Sequence, residues 1–338
     1  ISDGFLTIFR YTTNAMRLQK RNGIKMVLRD TKMDMATEYF EEVINPYHEK
    51  NYDYGKGLVV KKWDDSILEY IDKNKIEAIV INISRGWDGG SDFSFLSGLT
   101  TIKELSIIVG SSKNLSSIEK MLALESMDLT ANGKEFVDFT ELQNLKKCFI
   151  SWWPKAVSIL ELSSLEELYI DNLKFKDYSN FKINSNLTKL TIGNSNIDNL
   201  NFLKELQDLT VLNFFNCRKI TDFSMIGSCP KLKRIDLSGC YLKDLSFIKQ
   251  LKDLEVLLIA DIGDIDSLEV VSSLKKLKAI WFAGKTNVLD GDLTPLTHLP
   301  LLSMVNFNNR RHYTHKLNKA WNWNNFDIPD SNLIIAKS

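Results

Sequence analysis

Two histidines three residues apart, His312 and His315, have the spacing of metal ligands on one helix face. No third cysteine or acidic ligand lies at a telling distance from them. Arg310, Arg311 and Lys316 surround the pair with positive charge. The pattern reads as a solvated segment and not as a metal centre. The stretch RGWDGGSD (85–92) is the most glycine-rich in the chain, which is what a phosphate-cradling loop requires. It lacks the G-x-x-x-x-G-K-[ST] spacing and its closing lysine, so an ordinary insertion is expected there, with Trp87 either packed on the N-terminal cap, the favoured reading, or exposed for a partner. Cys148 stands where a core leucine would be and reads as a small buried apolar residue, not a nucleophile. The other histidines, His48 and His298, have no acid–nucleophile pattern around them. The expectation is no catalytic residues, no metal and no cofactor.

A different chemistry emerges from spacing. The frame apolar-x-x-apolar-x-apolar recurs with its central position at Ile79, Leu105, Met127, Cys148, Leu168, Leu190, Leu212, Ile235, Leu257, Ile280 and Val305. The intervals are 26, 22, 21, 20, 22, 22, 23, 22, 23 and 25 residues. Each frame supplies a short strand whose alternate side chains face inward. A second apolar set, such as Leu242, Leu245 and Ile248, brings the chain back on the opposite side. One such unit cannot bury its own apolar face, whereas stacked neighbours bury a continuous core. DFSFL (92–96), DFTEL (138–142), TDFSMI (221–226) and KDLSFI (243–248) repeat a further signature, an aspartate ahead of the return turn. Asp92, Asp138, Asp177, Asp222, Asp244 and Asp292 are expected to cap that turn. Cys217 and Cys240 fall at the inside corner after the strand, and so does Asn132. Asn172, Asn194, Asn216 and Asn309 come one residue earlier, so no continuous asparagine ladder is expected.

This pattern, carried by TVLNFFNCRKITDFSMIG (210–227) among others, resembles the leucine-rich repeat family in its short form of about 22 residues. Internalin-like and phosphatase-regulator-like repeats use a similar unit. The resemblance implies an α/β solenoid: a horseshoe with a parallel concave sheet and short convex turns or 3-10 segments. About 11 repeats would occupy residues 74–310.

Residues 1–73 do not fit the frame and are expected to form a small α+β N-terminal cap. GIKMVLRD (23–30) and GLVVKKW (57–63) read as strands. MDMATEYFEEVI (33–44) and WDDSILEYIDK (63–73) have helical spacing. Residues 311–338 are expected to cap the other end, with Trp321, Trp323 and Phe326 covering the last repeat and SNLIIAKS (331–338) adding an edge strand.

The family's concave face is where recognition is expected, and the register reads it out. Large apolar side chains fall there on positions that water should reach: Ile108, Phe149, Tyr169, Phe215, Leu258 and Trp281, with Trp152 and Trp153 at the edge. Asp171 and Asp236 share the face. Aromatics among charges are the composition of a protein-binding hot spot. The partner-binding set is therefore Phe149, Trp152, Tyr169, Asp171, Phe215, Asp236, Leu258 and Trp281. The competing reading is that these side chains pack on one another and serve stability alone.

Lys and Arg number 43, as do Asp and Glu. A balanced charge argues against a nucleic-acid partner. No apolar run approaches bilayer length, so no membrane association is expected. Four cysteines without a disulfide pattern and the lack of a leader at the N-terminus lead to an expectation of a cytoplasmic protein. The resulting expectation is a non-enzymatic module binding a protein partner, with a bacterial toxin (an immunity role) or a scaffolded complex as the specific versions. A secreted internalin-like ligand binder and an enzyme subunit with its activity in 1–73 are the alternatives.

Overall fold

The structure, a computed structural model, describes residues 39–43, 56–317 and 334–336. It divides into two compact units, Ile1–Gly89 and Gly90–Ser338.

In the first unit, strand β1 (Phe40–Val43) pairs antiparallel with β2 (Gly57–Val60). Helix α1 (Ser66–Asn74) then carries the chain to β3 (Ala78–Asn82), which lies parallel to β2. Every residue of β2 is buried, as are Ala78–Ile81, the continuous apolar run of a strand covered on both faces. Ile67 and Ile71, four apart, form the buried face of α1. Asp64 Oδ1 accepts from Ser66 N at 2.9 Å and Lys75, at φ 53°, closes the C-terminus. The strand and helix expected within 57–73 are present. The helix expected over 33–44 is not: residues 33–38 lie outside the described residues, and Phe40–Val43 is a strand. The open edge of β2 supplies backbone partners that helical spacing cannot reveal, and Phe40 is buried there against Tyr70, ring centroids 4.6 Å apart. Leu58 pairs with Ile79, so the repeat register begins one strand before the sequence frame detects it. Trp87 is buried over Gly89, as the packed reading requires. The strand expected over 23–30 lies outside the described residues.

The second unit is a leucine-rich-repeat stack. Its parallel strands are β4 (Glu104–Ile108), β5 (Ser126–Thr130), β6 (Lys147–Ser151), β7 (Glu167–Asp171), β8 (Lys189–Gly193), β9 (Val211–Phe215), β10 (Arg234–Asp236) and β11 (Val256–Leu258). Two-residue and four-residue strands then alternate: β12 (Asp264–Ile265), β13 (Ala279–Phe282), β14 (Asn287–Val288) and β15 (Met304–Phe307), with β12 pairing β14 beside the main sheet. The frame positions are Cα partners along the stack, from Leu105↔Met127 through Leu190↔Leu212 to Ile280↔Val305. Their side chains, with the second inward residue of each strand, form the core. The return path is a 3-10 turn in most repeats, such as Asn201–Glu205, Ser224–Ser228 and Ser246–Gln250.

The aspartates expected ahead of these turns do accept the backbone N–H two residues on. Ser94 N donates to Asp92, Thr140 N to Asp138, Ser179 N to Asp177, Ser224 N to Asp222, Ser246 N to Asp244 and Thr294 N to Asp292, all within 2.8–3.0 Å. These bonds hold the carboxyls of Asp138, Asp177 and Asp222 below the usual range, and Asp92 likewise through Asn114 and Ser94. A depressed carboxyl stabilises the fold fully above its unfolded value and loses that contribution as pH falls through its folded one. Acid titration of the thermal midpoint is expected to fall below the ordinary carboxylate range, and Asp222→Asn together with Asp138→Asn should blunt that fall. An unchanged acid limb would refute the turns' share in it.

The corner is irregular for a visible reason. Asn172, Asn194, Asn216, Gly239, Asp261 and Gly284 all have positive φ, so the corner residue that follows each of these strands turns left-handed and favours Asn, Asp or Gly. The next residue points inward, where Cys217 Sγ donates to Ile192 O and Cys240 Sγ to Phe214 O, each at 3.4 Å. At the C-terminal end Tyr313 is buried against Phe307, and its hydroxyl accepts Val288 N at 3.0 Å. β16 (His315–Leu317) pairs antiparallel with β17 (Ile334–Ala336), the expected late strand, as a separate ladder. Trp321, Trp323 and Phe326 lie outside the described residues. No described helix is long and apolar enough to cross a membrane.

Candidate functional site: the outward sheet face

The outward side chains of the second unit lie in three rows. The central row runs Ser106, Asp128, Phe149, Tyr169, Thr191, Asn213, Asp236, Leu258, Trp281 and Asn306, successive members being Cα partners. Adjacent strands bring neighbours in a row to about 4.8 Å, close enough for rings to stack. Phe149 and Tyr169 do so, with centroids 4.2 Å apart and planes 18° from parallel. Both are half-buried, as are Asp171 and Trp281.

The same spacing that lets rings stack also hides smaller groups. Phe215 is 4% exposed, Leu258 6%, Asp236 3% and Trp152 8%. The expectation that water reaches these positions fails for these four. Leu258 lies beside Trp281 in the row, and Phe215 is the Cα partner of Gly193. Trp152 turns off the sheet onto Phe175, at 5.2 Å, the head of an aromatic run through Tyr178 and Phe181 to Phe202. That run was missed in sequence, although KFKDYSNF (174–181) places three rings three residues apart. Trp153 is buried over Gly133 and its indole N–H donates to Glu135 O at 2.8 Å.

The row at the N-terminal ends of the strands is ionic. Glu167 pairs with Lys147 at 3.9 Å and Lys189 at 2.8 Å, and Lys278 with Glu255 at 2.7 Å just beyond it. In the third row, which runs through Thr130, Ser151, Asp171, Gly193 and Phe215 at the C-terminal ends of the strands, Asp171 Oδ1 accepts from the corner residue Asn194 Nδ2 at 2.7 Å, and Asn194 Oδ1 from Asn216 Nδ2 at 2.9 Å. Three carboxyls are desolvated. Glu104 is 1% exposed, and burial pushes it up to about 8, opposed by Lys147 and helped by Glu125. Burial raises Asp128 to about 7, with hydroxyl bonds from Thr130 and Ser106 opposing it. Burial also raises Asp236 to about 6 against its bonds from Ser238 and the charge of Arg234. These acids carry no sequence signature apart from their register.

The histidines with ligand-like spacing and Cys148 are engaged otherwise. His312 Nε2 is 2.9 Å from Val288 O and His315 Nδ1 2.8 Å from Thr314 Oγ1. Among the described residues no three metal-ligating side chains gather. Cys148 is buried, and burial with the nearby Asp128 charge pushes its thiol well above the ordinary range, the opposite of an activated nucleophile.

A family model described as Leucine Rich repeats (2 copies) matches residues 207–250. The solved structure of an internalin (inlF) from Listeria monocytogenes superposes with a TM-score of 0.53 at 16% identity, covering 76% of this chain and 83% of that one. A TDR receptor structure gives a TM-score of 0.50 at 17% identity over 74% of this chain and 46% of that one. No curated protein matches the sequence. The in-register parallel sheet with its 3-10 returns has the leucine-rich repeat fold, and the repeat model matches within it. The fold is that of protein-interaction modules in general.

Proposed function

We propose that this chain is a non-enzymatic module that holds a protein partner on the outward sheet face, around Phe149 and Tyr169. The observation that supports it is the stacked, half-buried aromatic pair standing beside the Lys147–Glu167–Lys189 ladder, a rigid apolar anchor with a polar rim. Trp281, half-buried beside Leu258, is a second apolar point farther along the same row, beyond Thr191, Asn213 and Asp236.

The test replaces Phe149, Tyr169 and Trp281 by alanine together. Phe215 and Leu258 are left intact because burial makes them packing residues. The triple variant is expected to fold and to lose partner capture at least roughly thirtyfold, the scale of one hot-spot residue. Undiminished capture by a folded triple variant would place binding elsewhere. Where the partner is a toxin, co-expression should restore growth with the intact chain and not with the variant.

A further inference from the structure

The corner segments that follow β5, β6 and β7 form a second surface, beyond the C-terminal ends of the strands. They are ANGKEFV (131–137), WWPKAV (152–157) and NLKFK (172–176). Contacts join them rung to rung. Trp153 Nε1 donates to Glu135 O at 2.8 Å, Val137 N donates to Lys155 O at 3.3 Å, and the Trp152 and Phe175 rings meet at 5.2 Å.

Four lysines stand on these segments, Lys134, Lys155, Lys174 and Lys176, and all are exposed. None of them is in an ion pair among the described residues, whereas Lys147, Lys189 and Lys278 at the other ends of the strands are. Glu135 is the one acid in the three segments, and its Oε1 is turned back to accept Leu115 N at 2.5 Å. The strip is bounded. One rung earlier the charge of Lys113 acts on the Asp92 carboxyl, and one rung later an exposed acid, Asp198, follows the strand. Apolar surface lies among the cations. Phe136 is 57% exposed and Val157 40%. They flank one junction between rungs, where Val137 N bonds Lys155 O and Ser158 Oγ donates to Val137 O at 3.1 Å. Phe175, between Lys174 and Lys176, is half-buried. A single exposed apolar residue is ordinary, but here three share one strip with four unpaired cations.

We propose that this strip docks an acidic, extended segment of a protein partner, with an apolar residue among its carboxylates seated at Phe136 and Val157. Charge complementarity names the chemistry: cations without a counter-charge, around an apolar anchor, suit carboxylates around an apolar side chain. The layout names the shape. The lysines arrive on successive rungs about 4.8 Å apart, in a line rather than a plane. An extended chain puts same-side residues about 6.6 Å apart, a spacing that flexible lysine stems can follow. A flat anionic lipid surface would also press on the turn carboxyls of Asp138 and Asp177, which directly follow two of the segments. This surface is separate from the Phe149–Tyr169 anchor, and the inference goes beyond the role argued above.

The full chain is titrated with the blocked peptide acetyl-Glu-Asp-Phe-Asp-Glu-amide and with its neutral counterpart acetyl-Gln-Asn-Phe-Asn-Gln-amide. Amide NMR shifts at Phe136, Lys155 and Phe175 are read. Saturable shifts with the acidic peptide are expected, weakened roughly tenfold or more by the neutral replacement and by Lys134→Gln, Lys155→Gln, Lys174→Gln and Lys176→Gln combined. The quadruple variant should keep its thermal midpoint, because these lysines have no ion pair to lose. Equal shifts from both peptides, none from either, or shifts that survive the quadruple variant would overturn the inference. So would unchanged affinity in Phe136→Ser. Sedimentation with phosphatidylglycerol vesicles is the other arm: vesicle binding without peptide shifts would replace the acidic segment by a lipid surface. The two ideas fail separately. The chain with Phe149, Tyr169 and Trp281 replaced by alanine should bind the acidic peptide unchanged, and loss of binding there would remove the strip and return the site to the sheet face.

Discussion

Leu190→Ala should cost about 2–5 kcal/mol of unfolding free energy, the range for a large-to-small change in a core that cannot collapse. Leu190 is fully buried on β8, with Leu168 and Leu212 as its in-register neighbours. Truncation removes contacts to both adjacent repeats at once. In a stack held mainly by nearest-neighbour interfaces, that cut falls where it can uncouple the two halves. Urea unfolding should therefore show a lower midpoint, and a shallower transition if uncoupling follows. Lys189→Ala, one residue back and facing outward, is the matched control: it loses only an exposed ion pair to Glu167, an effect within about 1 kcal/mol. Comparable losses at both positions would contradict the inward–outward assignment of β8.

The second large effect is one of pH. Glu104, Asp128 and Asp236 hold their protons more tightly folded than unfolded, with values raised by burial to about 8, about 7 and about 6. A raised carboxyl favours the folded state fully below its unfolded value, and the advantage is lost as pH rises through the folded one. The thermal midpoint is accordingly expected to decline as pH climbs from about 5 to about 9. Glu104→Gln should remove the highest part of that decline and raise stability at the alkaline end, because neither Glu104 oxygen has a hydrogen-bond partner to lose. Calorimetry of both chains across this range decides the matter. A flat profile for the intact chain would show that these acids are hydrated or ion-paired. Together with the turn aspartates, whose stabilisation disappears in acid, the slopes place maximum stability on the mildly acidic side of neutrality.

Much of the fold was legible because its cause is local and periodic. An inward residue at Leu105, Leu168 or Leu257 can be named from spacing alone, since a one-residue slip would move each to the other face. The turn aspartates were legible for a similar reason: an Asx turn involves residues two apart. The strand at Phe40–Val43 was not, because its cause is the distant edge of β2, and the local spacing of Tyr39 and Val43 suits a helix equally. The buried state of Phe215, Leu258, Asp236 and Trp152 was also out of reach. Register shows which way a side chain points but not how much of it the neighbouring rungs cover.

The sequence by itself determined the repeat, its register, the inward core and the rows of the outward face, because each follows from a backbone period meeting the need to bury apolar surface. Only the tertiary structure decided which outward residues stack, which are hidden and which acids are desolvated. Those outcomes depend on side chains about 22 residues apart in sequence being brought one strand spacing apart in space. The stacking of Phe149 on Tyr169 belongs to that second kind of fact.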